Sequence, residues 1–187
     1  MMRFLAAALF FALSAVTATS GDKAALEPKT AWSPPTFAKV VGYRFRIPGE
    51  DSKEPVPSGF TLLRKGVLDS SLLERQKTKS ADLKPEDVRK LTFAINAKEA
   101  VSPAACYDPH HIFVFYSDTG AVVAAIEVCF GCTGVSALPE VAEPRWYRHD
   151  FIALAKLTAG LDLWDESRTL QQWIDHHSEK ESKPKKP

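Results

Sequence analysis

Two apolar runs, residues 112–116 and 121–130, joined by Ser117-Asp118-Thr119-Gly120, constrain the fold of this chain more than any other feature. β-Branched and aromatic residues at this density suit extended chain, and a short polar turn with Gly at its left-handed position joins two such runs as a hairpin. With a three-residue loop over 118–120, Ser117 faces Ala121 and Tyr116 faces Val122. The same register sets Ile112 against Ile126, Phe113 against Ala125, Phe115 against Val123 and His111 against Glu127. Both faces of the hairpin are apolar, so it must lie centrally, covered on both sides. The expected fold class is α+β: a single domain with an antiparallel sheet centred on a 111–130 hairpin and helices packed on it.

The flanking sequence supplies those elements. Residues 39–47 alternate from Gly42 onward, with Tyr43, Phe45 and Ile47 on one side and Arg44 and Arg46 on the other. That pattern predicts a half-buried strand whose arginines form a solvated face. Residues 48–58 hold three prolines and form a loop, and residues 60–68 form a second extended stretch broken by Lys65-Gly66. The clearest helix covers 83–95. Pro85 suits its first position, Glu86 and Asp87 complement its dipole, and Val88, Leu91 and Ile95 keep helical spacing. A second helix starts at Asp150, an N-cap, and ends at Gly160. A third starts at about Ser167 and carries Leu170, Trp173, Ile174 and His177 on one stripe. Residues 133–139 read as a loop.

The ends of the chain bear on its destination. Met1-Met2-Arg3, an apolar stretch to Leu13 and a small-residue zone to Ser20 have the form of a secretory signal, with cleavage expected before Gly21. The apolar stretch is too short to span a bilayer, and no later segment is long enough to do so. The chain thus divides into a signal peptide over 1–20, a flexible lead over 21–37, the α+β domain over 38–177 and a disordered Lys-rich tail over 178–187. The expected localisation is periplasmic or secreted. Of 24 basic residues Arg3 lies in the leader, which leaves 23 against 23 acidic ones. A balanced domain of this kind has no field to steer it to nucleic acid or an acidic membrane. No Gly-rich phosphate loop, serine nucleophile elbow or HExxH helix is present.

Cys106, Cys129 and Cys132 flank the hairpin, with His110 and His111 at its start. The string C-Y-D-P-H-H-I-F-V-F-Y-S-D-T-G, followed by I-E-V-C-F-G-C, resembles a group of small exported bacterial proteins of no assigned function. Their pattern is a Cys, a Pro and a His before a hairpin and Cys-Phe-x-Cys after it, matched here by Cys106, Pro109, His110, Cys129, Phe130 and Cys132. A variant of that pattern has Arg at the position of His110, which would make His111 the family histidine; both stay candidates. The resemblance covers about residues 83–163 and implies neither a substrate nor a cofactor.

Three chemistries suit the cysteines. Export favours a structural disulfide, and the hairpin register pairs Cys106 with Cys132, closing a loop of about 27 residues worth roughly 3 kcal/mol. Cys129 would then be a buried free thiol. Alternatively Cys106, His110, Cys129 and Cys132 make the Cys3His composition of structural zinc, with Gly131 and Gly134 helping the turn. Thirdly, Cys129-Phe-Gly-Cys132 has the spacing of a thiol–disulfide oxidoreductase, without the helix N-terminus such motifs use. A nucleophilic Cys129 beside His111 and Glu127 is the one enzyme arrangement this register allows. A His–Glu pair that satisfies its own hydrogen bonds is the simpler reading.

Overall fold

The computed structural model describes residues 31–49, 59–97, 99–100, 107–140, 147–164 and 166–182. Its centre is the expected hairpin, β6 (His111–Tyr116) and β7 (Val122–Cys129). They lie third and fourth in a five-stranded antiparallel sheet that begins with β4 (Lys77–Asp82) and β1 (Lys39–Phe45) and ends with β8 (Gly134–Leu138). Two small ladders accompany it, β2 (Leu63–Arg64) with β3 (Val67–Leu68) and β5 (Glu99–Ala100) with β9 (Tyr147–Arg148). The helices are α1 (Ser70–Gln76), α2 (Pro85–Ile95), α3 (Phe151–Gly160) and α4 (Leu170–Ser182). This is the single α+β domain the hairpin requires.

The sheet is covered on both faces. On one, Val40, Phe113, Phe115, Ala124, Ile126 and Val128 meet α2 through Leu91 and Ile95, α3 through Phe151 and Leu154, and α4 through Trp173. On the other, Val41, Tyr43, Phe45, Ile112, Val114 and Ala125 meet Leu62, Leu68 and Leu73 from the β2–β3 region and α1. Helix α2 begins as expected, with Pro85 at its first position and the Asp87 carboxylate accepting from the Lys84 N–H at 3.3 Å. Asp150 caps α3 by accepting from the Ala153 N–H at 2.9 Å. The end of α2 is tied to the start of α3, since the Asp150 N–H donates to the Ala94 carbonyl and His149 Nδ1 lies 2.6 Å from the Ile95 carbonyl.

Several expectations need correction. The loop and its first pair are right, since the Ser117 N–H donates to the Ala121 carbonyl and Tyr116 pairs with Val122. Phe115, however, pairs with Ala124, so Val123 is an extra residue in β7. This bulge moves every later pair by one: Ile112 faces Glu127 and His111 faces Val128. Because both faces are apolar, alternation alone could not reveal it. Strand β1 is internal rather than half-buried, and Arg44 is only 7 % exposed. Its guanidinium donates to the carbonyls of Phe45 and His110, which satisfies part of a charge that burial would otherwise penalise. Gly42 lets Leu163 and Phe113 press onto β1, where an added Cβ would come within 2.8 Å of Leu163 Cδ1.

Residues 133–139 contain the strand β8 rather than only a loop. Strand β4 and helix α1 have no clear sequence signal, because K-T-K-S-A-D carries no apolar alternation and α1 is two turns long. Helix α4 starts at Leu170, where Thr169 and Gln172 cap one another reciprocally, and it runs to Ser182 into the stretch read as a disordered tail. Within the stretch read as a flexible lead, Trp32 is buried. Its N–H donates to Asn96 Oδ1 at 2.7 Å and its indole N–H to the Pro139 carbonyl at 3.0 Å. Residues 1–30, the leader and most of that lead, lie outside the described residues.

Candidate functional site at the Cys129–Cys132 turn

Strand β7 ends at Cys129, which pairs with Gly134 at the start of β8, and residues 130–133 turn the chain between them. Cys129 and Cys132 are joined by a disulfide across this turn, with their Cα atoms 5.6 Å apart. This overturns the pairing of Cys106 with Cys132 and the free thiol at Cys129. The pairing was inferred from a register that the Val123 bulge breaks. Cys106 lies outside the described residues. Both bridged residues are buried, Cys129 at 1 % and Cys132 at 6 % exposure, and the Cys132 N–H points at Cys129 Sγ across 3.2 Å.

The turn is tight for reasons the sequence only partly displays. Its left-handed residue is Thr133, at φ +49°, rather than Gly131. A β-branched residue in that region is strained, so its surroundings must hold it there. Gly134 has a different role: an added Cβ would lie 2.9 Å from the Tyr107 ring and 3.2 Å from Cys132 Sγ, so glycine lets that ring lie on the turn.

Phe130, between the two cysteines, points into the helical layer. Its ring centroid lies 5.1 Å from those of His111 and Trp164, 5.6 Å from Trp173 and 6.4 Å from Phe151. Trp164 and Trp173 are in turn 5.8 Å apart, and His177 lies 4.0 Å from Trp173. One turn residue thereby joins the sheet, α3, α4 and the connection between those helices. Such aromatic pairs contribute about 0.5–1.5 kcal/mol each beyond the area they bury.

The two histidines diverge, as neighbours on a strand must. His110 stacks towards Phe45 on the α1 side, at 6.5 Å. His111 is fully buried on the helical side. Its Nε2 lies 3.0 Å from the Leu163 carbonyl, and its Nδ1, without a hydrogen-bond partner, is 3.7 Å from Glu166 Oε1. Burial, reinforced by the neighbouring Arg44 guanidinium, pushes its pKa down to about 3, so the ring is neutral. Nε2 therefore carries the proton and donates to Leu163. Of the two candidates, His111 is the one that touches the cysteine turn, through Phe130.

Glu127 occupies the opposite face. Its carboxylate accepts from the Thr61 hydroxyl at 2.5 Å, the Leu62 N–H at 2.7 Å and the Tyr107 hydroxyl at 3.3 Å. Burial raises its pKa to about 6 although these donors pull the other way. Cys129 shares this face with Glu127, while His111 lies on the other, so neither the expected His111–Glu127 pair nor the alternative Cys129–His111–Glu127 arrangement is assembled. Of the Cys106, His110, Cys129 and Cys132 set, Cys129 and Cys132 are bonded to each other and His110 packs by Phe45, while Cys106 lies outside the described residues. Among the described residues no group of three or more His, Cys, Asp or Glu side chains is placed to hold a metal ion. Sequence reasoning missed Arg44 and Glu166 as neighbours of His111, and Trp164 as a neighbour of Phe130. Only the first carried a signal, an arginine in an apolar strand.

Comparison with family models, with curated proteins and with solved structures finds no match. Among the described residues no helix is long and apolar enough to cross a membrane.

Proposed function

We propose that this chain is an exported, non-catalytic protein in which the Cys129–Cys132 disulfide is a structural brace, holding the β7–β8 turn so that Phe130 anchors the helical layer. The observation that carries this reading is the burial of both sulfurs behind a turn whose central side chain touches β6, α3, α4 and their connection. The polar groups nearby are buried away from solvent. Glu127 is held by three donors, and His111 is sealed between Leu163 and Phe130, so neither offers a base to a reacting group. The leader-like residues 1–20 and a bridge of the kind oxidising compartments favour support export. The resemblance of residues 83–163 to small exported bacterial proteins supports it further.

The test is peptide mapping and thiol titration of protein expressed with its own leader, together with metal analysis. The expected result is an N-terminus within two or three residues of Gly21, a Cys129–Cys132 bridge, one titratable thiol and no bound metal. Stoichiometric zinc, with all three thiols released by a chelator, would replace the brace by a metal centre. An intact Met1 would remove the export claim.

A further inference from the structure

Three observations meet at the cysteine turn. Thr133 sits in the left-handed region immediately after Cys132, so the turn is strained and the bridge is one of the restraints that hold it. Among the described side chains of α4 only Trp173 is buried, with Leu170 and Ile174 half-buried against the same core, and Trp173 rests on Phe130 at 5.6 Å, so the residue between the cysteines supports the one buried anchor of the helix. The two sulfurs also differ. Cys132 is the more exposed residue, while Cys129 Sγ faces the Cys132 N–H, a donor placed to stabilise a thiolate there.

From these we infer that the Cys129–Cys132 bridge is a reducible latch on α4, opened by an external dithiol that enters at Cys132. The inference rests on reading the bridge as the brace of the turn. A thiolate of the dithiol attacks Cys132 Sγ, the Cys129–Cys132 bond breaks, and its electron pair leaves on Cys129 Sγ. The second thiol of the reductant then displaces Cys132 Sγ and closes the reductant's own disulfide. The dithiol is oxidised, and its two electrons and two protons end on Cys129 and Cys132. With the restraint gone, Thr133 relaxes, Phe130 withdraws from under Trp173, and α4 loosens while the central strands stay folded. Reoxidation relocks the helix.

The experiment uses the oxidised full chain with and without dithiothreitol at neutral pH, with a peptide map taken before reduction and thiol titration after it. Hydrogen exchange followed by mass spectrometry reads each element, and trypsin cleavage after the exposed Arg168 gives a second readout. The expected result is exchange about tenfold or more faster in α4 and in residues 130–134, unchanged protection in β1 and β6, and recovery on reoxidation. Phe130→Leu should loosen α4 in the same way with the bridge intact. The latch is overturned by an open bridge with α4 unchanged, by a bridge that resists reduction until the whole domain unfolds, by equal loss of protection in α4 and β6, or by a Phe130→Leu protein whose α4 is as protected as before. A bridge that resists reduction, or an equal loss of protection in α4 and β6, leaves the brace standing, whereas an α4 that is unchanged after reduction or in Phe130→Leu removes the brace with the latch. A map with no Cys129–Cys132 bridge removes brace and latch together.

Discussion

Replacing Glu127 by Gln should change how the stability of this domain depends on pH, with a sign fixed by the environment of the carboxylate. Its pKa is about 6 in the folded chain against 4.5 unfolded. Between those values the native state holds a proton that the unfolded state does not. The Glu127 contribution is therefore fully present below pH 4.5 and is lost as pH rises through 6, a change on the order of 2 kcal/mol. His111 acts in the opposite sense. With a native pKa of about 3 against 6.5 unfolded, its contribution is full above pH 6.5 and drains away towards pH 3, on the order of 5 kcal/mol in all. From pH 6 to 4.5 the two nearly cancel, and below 4.5 the histidine acts alone. Urea unfolding at constant ionic strength from pH 4 to 8, for wild type and Glu127→Gln, checks this. The stability of the wild type relative to the variant should fall by about 2 kcal/mol between pH 4.5 and pH 7, whatever fixed cost Gln brings. A difference independent of pH, or one that grows in favour of the wild type as pH rises, would refute the account of the buried carboxylate.

Other substitutions probe the layers directly. Phe115→Ala, at a fully buried position touching Trp32 and Phe37, should cost about 3–5 kcal/mol in urea unfolding, and a loss under about 1 kcal/mol would mean that the helical layer does not cover β6. Gly42→Ala should cost about 1–3 kcal/mol, because Leu163 must move off β1; an unchanged midpoint would show that this contact is loose. Thr133→Gly should raise stability by up to about 1 kcal/mol by removing the left-handed strain. A destabilised variant would show that the threonine side chain contributes more than its backbone costs.

The parts of the fold legible in the sequence are those with a local cause. The hairpin turn, the start of α2 at Pro85 and the cap of α3 at Asp150 each depend on a few adjacent residues, and each is where the sequence places it. The edge strands lacked such causes. β4 ends the sheet with its side chains almost all exposed on both faces, and β8 is short and flanked by turn residues, so neither carries a periodic apolar pattern. At the site, Cys129-Phe-Gly-Cys132 has a redox spacing, but a straight register places Cys106 opposite Cys132 and favours that pair instead. One extra residue at Val123 removed the ground for that preference and also parted His111 from Glu127. Long-range packing settles such a bulge. Here Glu127 reaches its donors at Thr61, Leu62 and Tyr107 only on the α1 side.

The bulge also sets which changes of length this hairpin can survive. Tyr116 and Val122 lean to the α1 side, while Val123 and Ala124 both turn towards the helices, and from Ala125 on the strand alternates again. Losing the single residue Val123 would restore a straight ladder and leave every later side chain on its own face, because the bulge already absorbs that residue. A further residue gained there, with the bulge already present, would instead put Glu127 under α3, turn Ile126 and Val128 towards Leu62 and point Phe130 away from Trp173. Losing or gaining two residues at the 118–120 loop leaves each of those side chains on its own face. In the lineage of this protein a relative shorter by one in β7 should therefore lack the bulge and keep both the buried glutamate and the cysteine turn, whereas one longer by one there should lack either of them.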